Sequence, residues 1–266
     1  MKAKLARAVL ALAALIALYA LASSLGQRWL PHRVWLGTHY IDDLELLPTF
    51  SSLGEEMIFL VQSGILVSSI AVSVGRVLLG FVLGAVIGTL LGFATGRAAR
   101  LEYLVEPWVG LLRFTPAIAL LPLFVLWFGF GEGSKVLLIA TSVGVIALMG
   151  AHQGVRAVPR VYLEAAASLG AGDKLIFRKV VLPLAFPQVF SSLRVALGLA
   201  WVTIVVAELI DPKMPSLGYL LALAGAYPRV PTMLIGIITV GALVLLFDVA
   251  ALAAHARATR WMTRAE

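Results

Sequence analysis

Hydrophobic and polar positions along the 266-residue chain alternate on a long scale, not a short one. Apolar runs recur, and charges, prolines and glycines gather in the stretches between them. A run of about 20 apolar residues crosses a bilayer as a helix, because only a helix satisfies every backbone group within one segment. Six spans are predicted on this basis, at about 5–25, 64–95, 103–128, 135–152, 189–210 and 232–254. The pattern is that of an all-α polytopic membrane protein with six transmembrane helices.

Particular spans carry features of their own. The first follows a basic start and ends in ALASS, which also resembles a cleavable signal. Its apolar part is long enough to span, so a retained signal-anchor helix is expected. Residues 26–63 form an external segment, in which Ser52 and Glu55 have the spacing of a capping box. That segment is either a helix along the outer interface or a plain ordered loop. The second span places Gly80, Gly84, Gly88, Gly92 and Gly96 four residues apart, along one slowly drifting helix face. Such a seam lets another helix approach closely, and we read it as packing within one subunit rather than a dimer contact. The third span holds Pro107, Pro116 and Pro122. Each removes a backbone donor, so a kinked span is expected, with Arg113, Pro116 and Pro122 as possible pathway residues.

Composition narrows the function classes. The chain is 61% hydrophobic and 13% charged, with a mean hydropathy of +0.99. A soluble domain carries about 25% charged residues. The net charge of +7 does not indicate nucleic acid, because the basic residues sit at the ends of apolar runs and form no aromatic-interleaved patch. They report orientation instead. Thirteen Lys and Arg fall on the side of the N-terminus and five on the other, which predicts both termini in the cytoplasm. The absence of Cys excludes disulfides, thiolate catalysis and cysteine metal sites.

The connector at about 155–185 is longer than a turn between spans requires. Val158-Pro159 stops the preceding element, and Arg160 to Leu169 has helix formers with Val161, Ala165, Ala166 and Leu169 at helical spacing. Gly170 is a natural C-terminal cap. Asp173 is placed to cap a second short helix, Lys174 to Val181, expected to end before Pro183. A helix-turn-helix across the cytoplasmic mouth results, with small residues Ala165, Ala166, Ala167 and Ser168 open to a partner.

At these residues the chain resembles a known family. Glu164-Ala165-Ala166, then Gly170, then nine residues later Val180-Val181-Leu182-Pro183, is similar to the EAA loop of binding-protein-dependent ABC importer permeases. The one departure is Val180 for isoleucine. LLPLFVLWFGFGEGSK, LRVALGLAWVTIVVAELI and LGYLL resemble segments of the nitrate, sulfonate and taurine permeases. The likeness covers roughly 47–261. Phe114-Thr115-Pro116 and the DPKMPSLGY stretch depart from the group, at places where substrate or binding protein is sensed.

The resemblance implies a type I ABC importer (MetI-like) permease fold. It divides the chain into an N-terminal helix and external segment at 1–63, a permease domain at 64–255 and a tail at 256–266. It further implies a homodimer, two cytosolic ATPase subunits holding ATP and Mg, and a periplasmic or lipid-anchored binding protein. Glu164, Ala165, Ala166, Ser168, Leu169, Gly170, Leu182 and Pro183 would then couple to the ATPase. The chain itself holds no GxxxxGK[ST] phosphate loop, so it is expected to bind no cofactor and to hydrolyse no ATP. The solute expected is an organic or inorganic anion such as nitrate, sulfonate or taurine. A thiamine-precursor pyrimidine and glycine betaine stand as alternatives.

Charges within spans are costly and mark functional candidates. Arg76 and Glu208 fall at matched depth, as do Arg194 and Asp248, and both are expected to pair as structural or gating contacts. Arg113 has no evident partner, and interfacial snorkelling is set against a role in attracting an anion. His32, His39, His152 and His255 lack ligand spacing, so no metal site is expected. An intramembrane hydrolase would need facing catalytic groups, yet Asp211 and Asp248 fall near opposite faces. A non-transporting scaffold is the other alternative.

Overall fold

The computed structural model describes residues 16–25, 34–35, 40–41, 47–210 and 215–258. Among them, four helices are long and apolar enough to cross a membrane, or five if one sharply bent pair counts as a span. The first expected span lies mostly outside the described residues, which include its second half as α1 (Ile16–Leu25). Two short strands, β1 (Val34–Trp35) and β2 (Tyr40–Ile41), pair antiparallel within the segment 26–63. Two compact units divide the chain, one of residues 1–70 and 212–239, the other of 71–211 and 240–266.

In the first unit, α2 (Phe50–Gln62) forms a helix at the end of the segment 26–63. Its cap is Thr49 rather than the expected Ser52: the Thr49 hydroxyl accepts from the Ser52 amide at 3.2 Å. The helix therefore starts earlier than the Ser52–Glu55 spacing indicated, because Thr49 lies in extended backbone (φ −74°, ψ 164°), the geometry a cap requires. Tyr19 on α1 donates to the Pro48 carbonyl at 2.9 Å and meets the Phe50 ring edge-on. α10 (Leu217–Ala226) is capped by Ser216, whose hydroxyl accepts from Tyr219 at 3.2 Å. The Thr232 hydroxyl, near the start of α11 (Val230–Ala258), donates to Glu56 of α2 at 2.5 Å.

The second unit is organised around α6 (Glu132–Arg156). One side of α6 receives the glycine ladder of α3 (Ile65–Arg97). A methyl group on Gly80 would lie 2.6 Å from the Ile139 Cβ, and one on Gly84, Gly88 or Gly92 would strike the carbonyls of Ala140, Gly144 and Leu148. The other side of α6 meets α9 (Leu182–Ile210), where Gly150 abuts Ser192 and Gly154 abuts Ala185. Small residues on three helices thus bring backbones together, the mechanism of tight packing in lipid.

The third expected span is broken, not merely kinked. α4 (Ala99–Phe114) and a 3₁₀ turn (Ala117–Leu120) leading into α5 (Leu121–Phe128) meet at 102°. Of the three prolines, Pro116 marks the break. It has no N–H to extend α4, and it forces Thr115 into extended backbone (φ −82°, ψ 122°). Pro107 is accommodated inside α4, and Pro122 opens α5, where a missing donor costs nothing.

The connector also differs from expectation at its end. α7 (Arg160–Ser168) forms as expected, but Gly172 rather than Asp173 caps α8 (Asp173–Ile176). Pro183 does not stop the second helix. α8 passes through a π turn, Phe177–Val181, directly into α9, giving one helical run from Asp173 to Ile210. Pro183 lacks the amide that an α-helix would aim at the Lys179 carbonyl, and the π turn lies where that bond is missing.

Candidate functional site

The connector presents a helix with no buried residue. Val161, Tyr162 and Leu169 are exposed, Leu169 at 89%, and Glu164, Ala165 and Ser168 are open beside them. Gly170 is held at φ +81°. Its amide bonds the Ala167 carbonyl at 2.9 Å, and the Ala171 amide bonds that of Ala166 at 3.1 Å. These two bonds are the Schellman closure, and its left-handed position explains the glycine. Ser168 turns its hydroxyl back to the Glu164 carbonyl at 2.9 Å. The result is a rigid, abruptly ended helix with an apolar exposed flank and one acid. Leu182 and Pro183 lie apart from it, half-buried at the entry to α9.

Two contacts fasten this connector to the bundle. The Arg97 guanidinium, closing α3, lies 4.2 Å over the Phe177 ring, and Phe93 meets the same ring edge-on. Nearby, Arg156 and His152 of α6 converge on Glu102 of α4, while the His152 Nδ1 lies 3.2 Å from the Thr95 hydroxyl. This knot ties α3, α4 and α6 together beside the connector. Sequence reading missed it, although Glu102 is the acid in the first turn of α4, where a helix favours one.

At the other end of α9, Glu208 is fully buried and Arg76 nearly so, at 0% and 2% exposed. Arg76 donates to Glu208 at 2.7 Å and grips Glu132 through Nε at 2.6 Å, and the Ser73 hydroxyl reaches both Glu208 oxygens at 2.9 Å. The structure therefore brings the expected pair together and adds Ser73 and Glu132, joining α3, α6 and α9. Arg194 and Asp248 also meet, in a two-pronged contact at 2.5 and 2.7 Å that joins α9 to α11.

Arg113 occupies the last turn of α4, at the break. It lines two adjoining cavities, of about 390 and 450 Å³, which also share Met149 and Gln153. It is the one charged residue lining the larger cavity, which includes Pro116 but not Pro122. Apolar walls come from Leu120, Val145, Ile146, Val195 and Leu199. The hydroxyls of Thr115, Thr141, Ser142 and Ser192 also line it, but each donates to a carbonyl of its own helix at 2.8–3.0 Å. Arg113 and Gln153 remain as donors toward the cavity. Among the described residues, no group of three or more His, Asp or Glu is placed to hold a metal ion. Of the histidines, His255 stacks on Phe190 at 4.8 Å, while His32 and His39 lie outside the described residues, as do Asp211 and Lys213.

Long apolar spans, a broken helix beside cavities and an exposed, capped connector helix suit the membrane component of a transport system. The profile of the binding-protein-dependent transport system inner membrane component matches residues 80–260, and the chain belongs to that family. It is 35% identical to a probable ABC transporter permease of Brucella abortus (strain 2308), over 91% of this chain and 98% of that one. It is 35% identical to the taurine transport system permease of Escherichia coli K12, over 72% and 70% of the two chains. A putative aliphatic sulfonates transport permease of Bacillus subtilis (strain 168) is 36% identical over 67% and 64%. Among solved structures, the MetNI methionine ABC transporter in an inward-facing form matches 73% of this chain and 96% of its own, with a TM-score of 0.65 at 20% identity, a likeness of fold. The chain is thus a multi-pass ABC importer permease of the nitrate, sulfonate and taurine type.

Proposed function

We propose that two copies of this chain, joined by two cytosolic ATPase subunits that carry ATP and Mg and fed by a separate binding protein, import a small organic anion of the sulfonate class. The observation that carries the importer reading is α7, with its exposed flank and Schellman stop at Gly170. A partner seated on Val161, Glu164, Ala165 and Leu169 can push this helix as a rigid body. The continuous helical run from Asp173 to Ile210 passes that displacement along the bundle. Both termini face the cytoplasm in this reading, on the strength of the basic-residue count.

The substrate reading rests on the larger of the two cavities beside Arg113, since Glu102 and Glu106 line the smaller. A cation at one end, apolar walls and no carboxylate among the lining residues suit a monoanion with an apolar body. An ammonium group would find no acid there, and a quaternary amine would find no aromatic cage. Those features favour an aliphatic sulfonate over taurine, glycine betaine or a pyrimidine.

Reconstitution with the ATPase and binding protein tests the coupling. Gly170→Val forces a β-branched residue into left-handed backbone, at a local cost of about 1–2 kcal/mol or more. Glu164→Ala removes the one acid of the docking face. Both variants are expected to keep folding and ATP hydrolysis while uptake falls at least fivefold, by the energy of one lost contact, about 1 kcal/mol. Unchanged uptake per ATP in both would overturn the assignment.

A further inference from the structure

The first unit holds a cavity of about 580 Å³ that the transport reading does not use. It lies between α2, α10 and the first turns of α3 and α11. Phe59, Leu60, Ile65, Leu220 and Leu223 form apolar walls. Its polar groups are few and ordered. Arg229 directly precedes α11, and Glu56 faces the cavity with one oxygen held by Thr232 at 2.5 Å. One turn into α3 lies Ser69, 1% exposed, whose hydroxyl has no hydrogen-bond partner.

We propose that this cavity is a binding site for one zwitterionic phospholipid of the phosphoethanolamine type. Ile65 and Val230 each open a long apolar helix, so the cavity mouth lies at headgroup level and its interior at the level of the acyl chains. Arg229 makes no ion pair among the described residues and is exposed, free to take a phosphate. Glu56 has a second oxygen for an ammonium donor. The Ser69 hydroxyl, a turn deeper at about 5–6 Å, stands where an ester carbonyl would give its proton an acceptor. Below it the walls ask for hydrocarbon.

A peptide fits less well. The backbone groups of α2 and α10 are bonded within their own helices, leaving an extended chain no main-chain partners. An acyl chain needs none. Phe59, Leu223 and Tyr227 are 51%, 41% and 70% exposed, so the rim is open to a lipid entering from the side.

Native mass spectrometry of the full chain, delipidated in mild detergent and titrated with one lipid at a time, tests the proposal. One phosphatidylethanolamine per chain is expected to survive activation that strips other lipids. Phosphatidylglycerol, without an ammonium, and phosphatidylcholine, without an N–H, are each expected to be retained at least threefold less. Arg229→Gln and the cavity-filling Leu223→Trp are expected to reduce retention at least fivefold. Glu56→Gln is expected to erase the preference for ethanolamine over glycerol. Equal retention by wild type and Arg229→Gln would overturn the site, even if Leu223→Trp fails to fold. Equal retention of all three headgroups would overturn the zwitterion assignment. Protection of the cavity by residues 26–46, seen as cross-links that exclude lipid, would replace the lipid with the chain's own segment.

Discussion

Adding a methyl group along the α3–α6 seam should produce a graded series, because the atoms each new Cβ meets differ in their ability to move. At Gly88 the obstacles are the carbonyl oxygen, the carbonyl carbon and the Cα of Gly144, the latter two at 2.9 Å. All are backbone of a helix packed on its other side against α9. Restoring van der Waals separation from the carbonyl oxygen, the nearest of the three, requires the helices to part by about 1 Å, and a gap of that size forfeits about half of each contact along the seam. Overpacking of this kind costs about 1–3 kcal/mol, against which alanine regains at most ~1 kcal/mol of helix propensity. Gly88→Ala is therefore expected to destabilise by up to about 2 kcal/mol, with Gly84→Ala and Gly92→Ala close behind. At Gly80 the obstacles are the Ile139 Cβ at 2.6 Å and the Val136 carbonyl at 2.9 Å, neither of which can rotate away, so Gly80→Ala falls in the same range. Gly75 has nothing within 4 Å, and a Cβ on Gly144 would stand 3.6 Å from the Gly84 carbonyl, so alanine at either is neutral or stabilising. The chain carries 6 Trp, and thermal unfolding followed by their fluorescence in one detergent ranks the series. A melting temperature for Gly88→Ala equal to that of Gly75→Ala would refute the reasoning.

Two further substitutions probe the charged groups. Arg76→Met takes the guanidinium from the fully buried Glu208 and should cost about 3–5 kcal/mol, partly recovered in the Arg76→Met/Glu208→Leu double variant. Thermal unfolding of the assembled complex measures this, and a single-variant loss no greater than that of Arg113→Met would contradict it. Arg113→Gln should leave stability unchanged and raise the half-saturating sulfonate concentration for uptake by about 10–100-fold, the worth of one charge-assisted hydrogen bond. Uptake indifferent to that change would place Arg113 outside the pathway.

The features legible in the sequence were those set by local spacing. The four-residue glycine period gave a seam, and Gly170 gave a left-handed cap, because each depends on steric rules within one turn of helix. The two Arg–acid pairs were legible from depth along the spans alone. Tertiary context hid the rest. Asp173 and Pro183 read as a cap and a stop, but a π turn absorbed the proline and let the helix continue. Glu132 was left out of the Arg76 network because it precedes its apolar run and counts as loop until α6 is seen to start there. The size of the bend at Thr115-Pro116 followed from a backbone angle that no residue pattern states.

The second unit suggests why these particular features coexist in one permease. The glycine seam and the Arg76–Glu132–Glu208 network bind α3, α6 and α9 into a body that resists internal shear. The helical run that contains α9 begins at Asp173, directly after the connector turn, and carries Glu208 near its end, so in the coupling proposed above a push on α7 would pass through residues 169–172 into it. At about 1.5 Å per residue, that run is roughly 57 Å long, enough to cross a bilayer and project beyond it. α4 differs, because the break at Pro116 severs it from α5 and the Glu102 contacts with His152 and Arg156 are its charged link to α6. A tightly packed body moves as a unit, whereas a segment hinged at a proline and held by a few polar contacts can change its angle. Arg113 sits at that hinge and faces both cavities, so rotation of α4 would carry the cation from one chamber toward the other. In the transport cycle proposed above, the reorienting element is then α4, which carries Arg113 at its hinged end and turns against a three-helix frame.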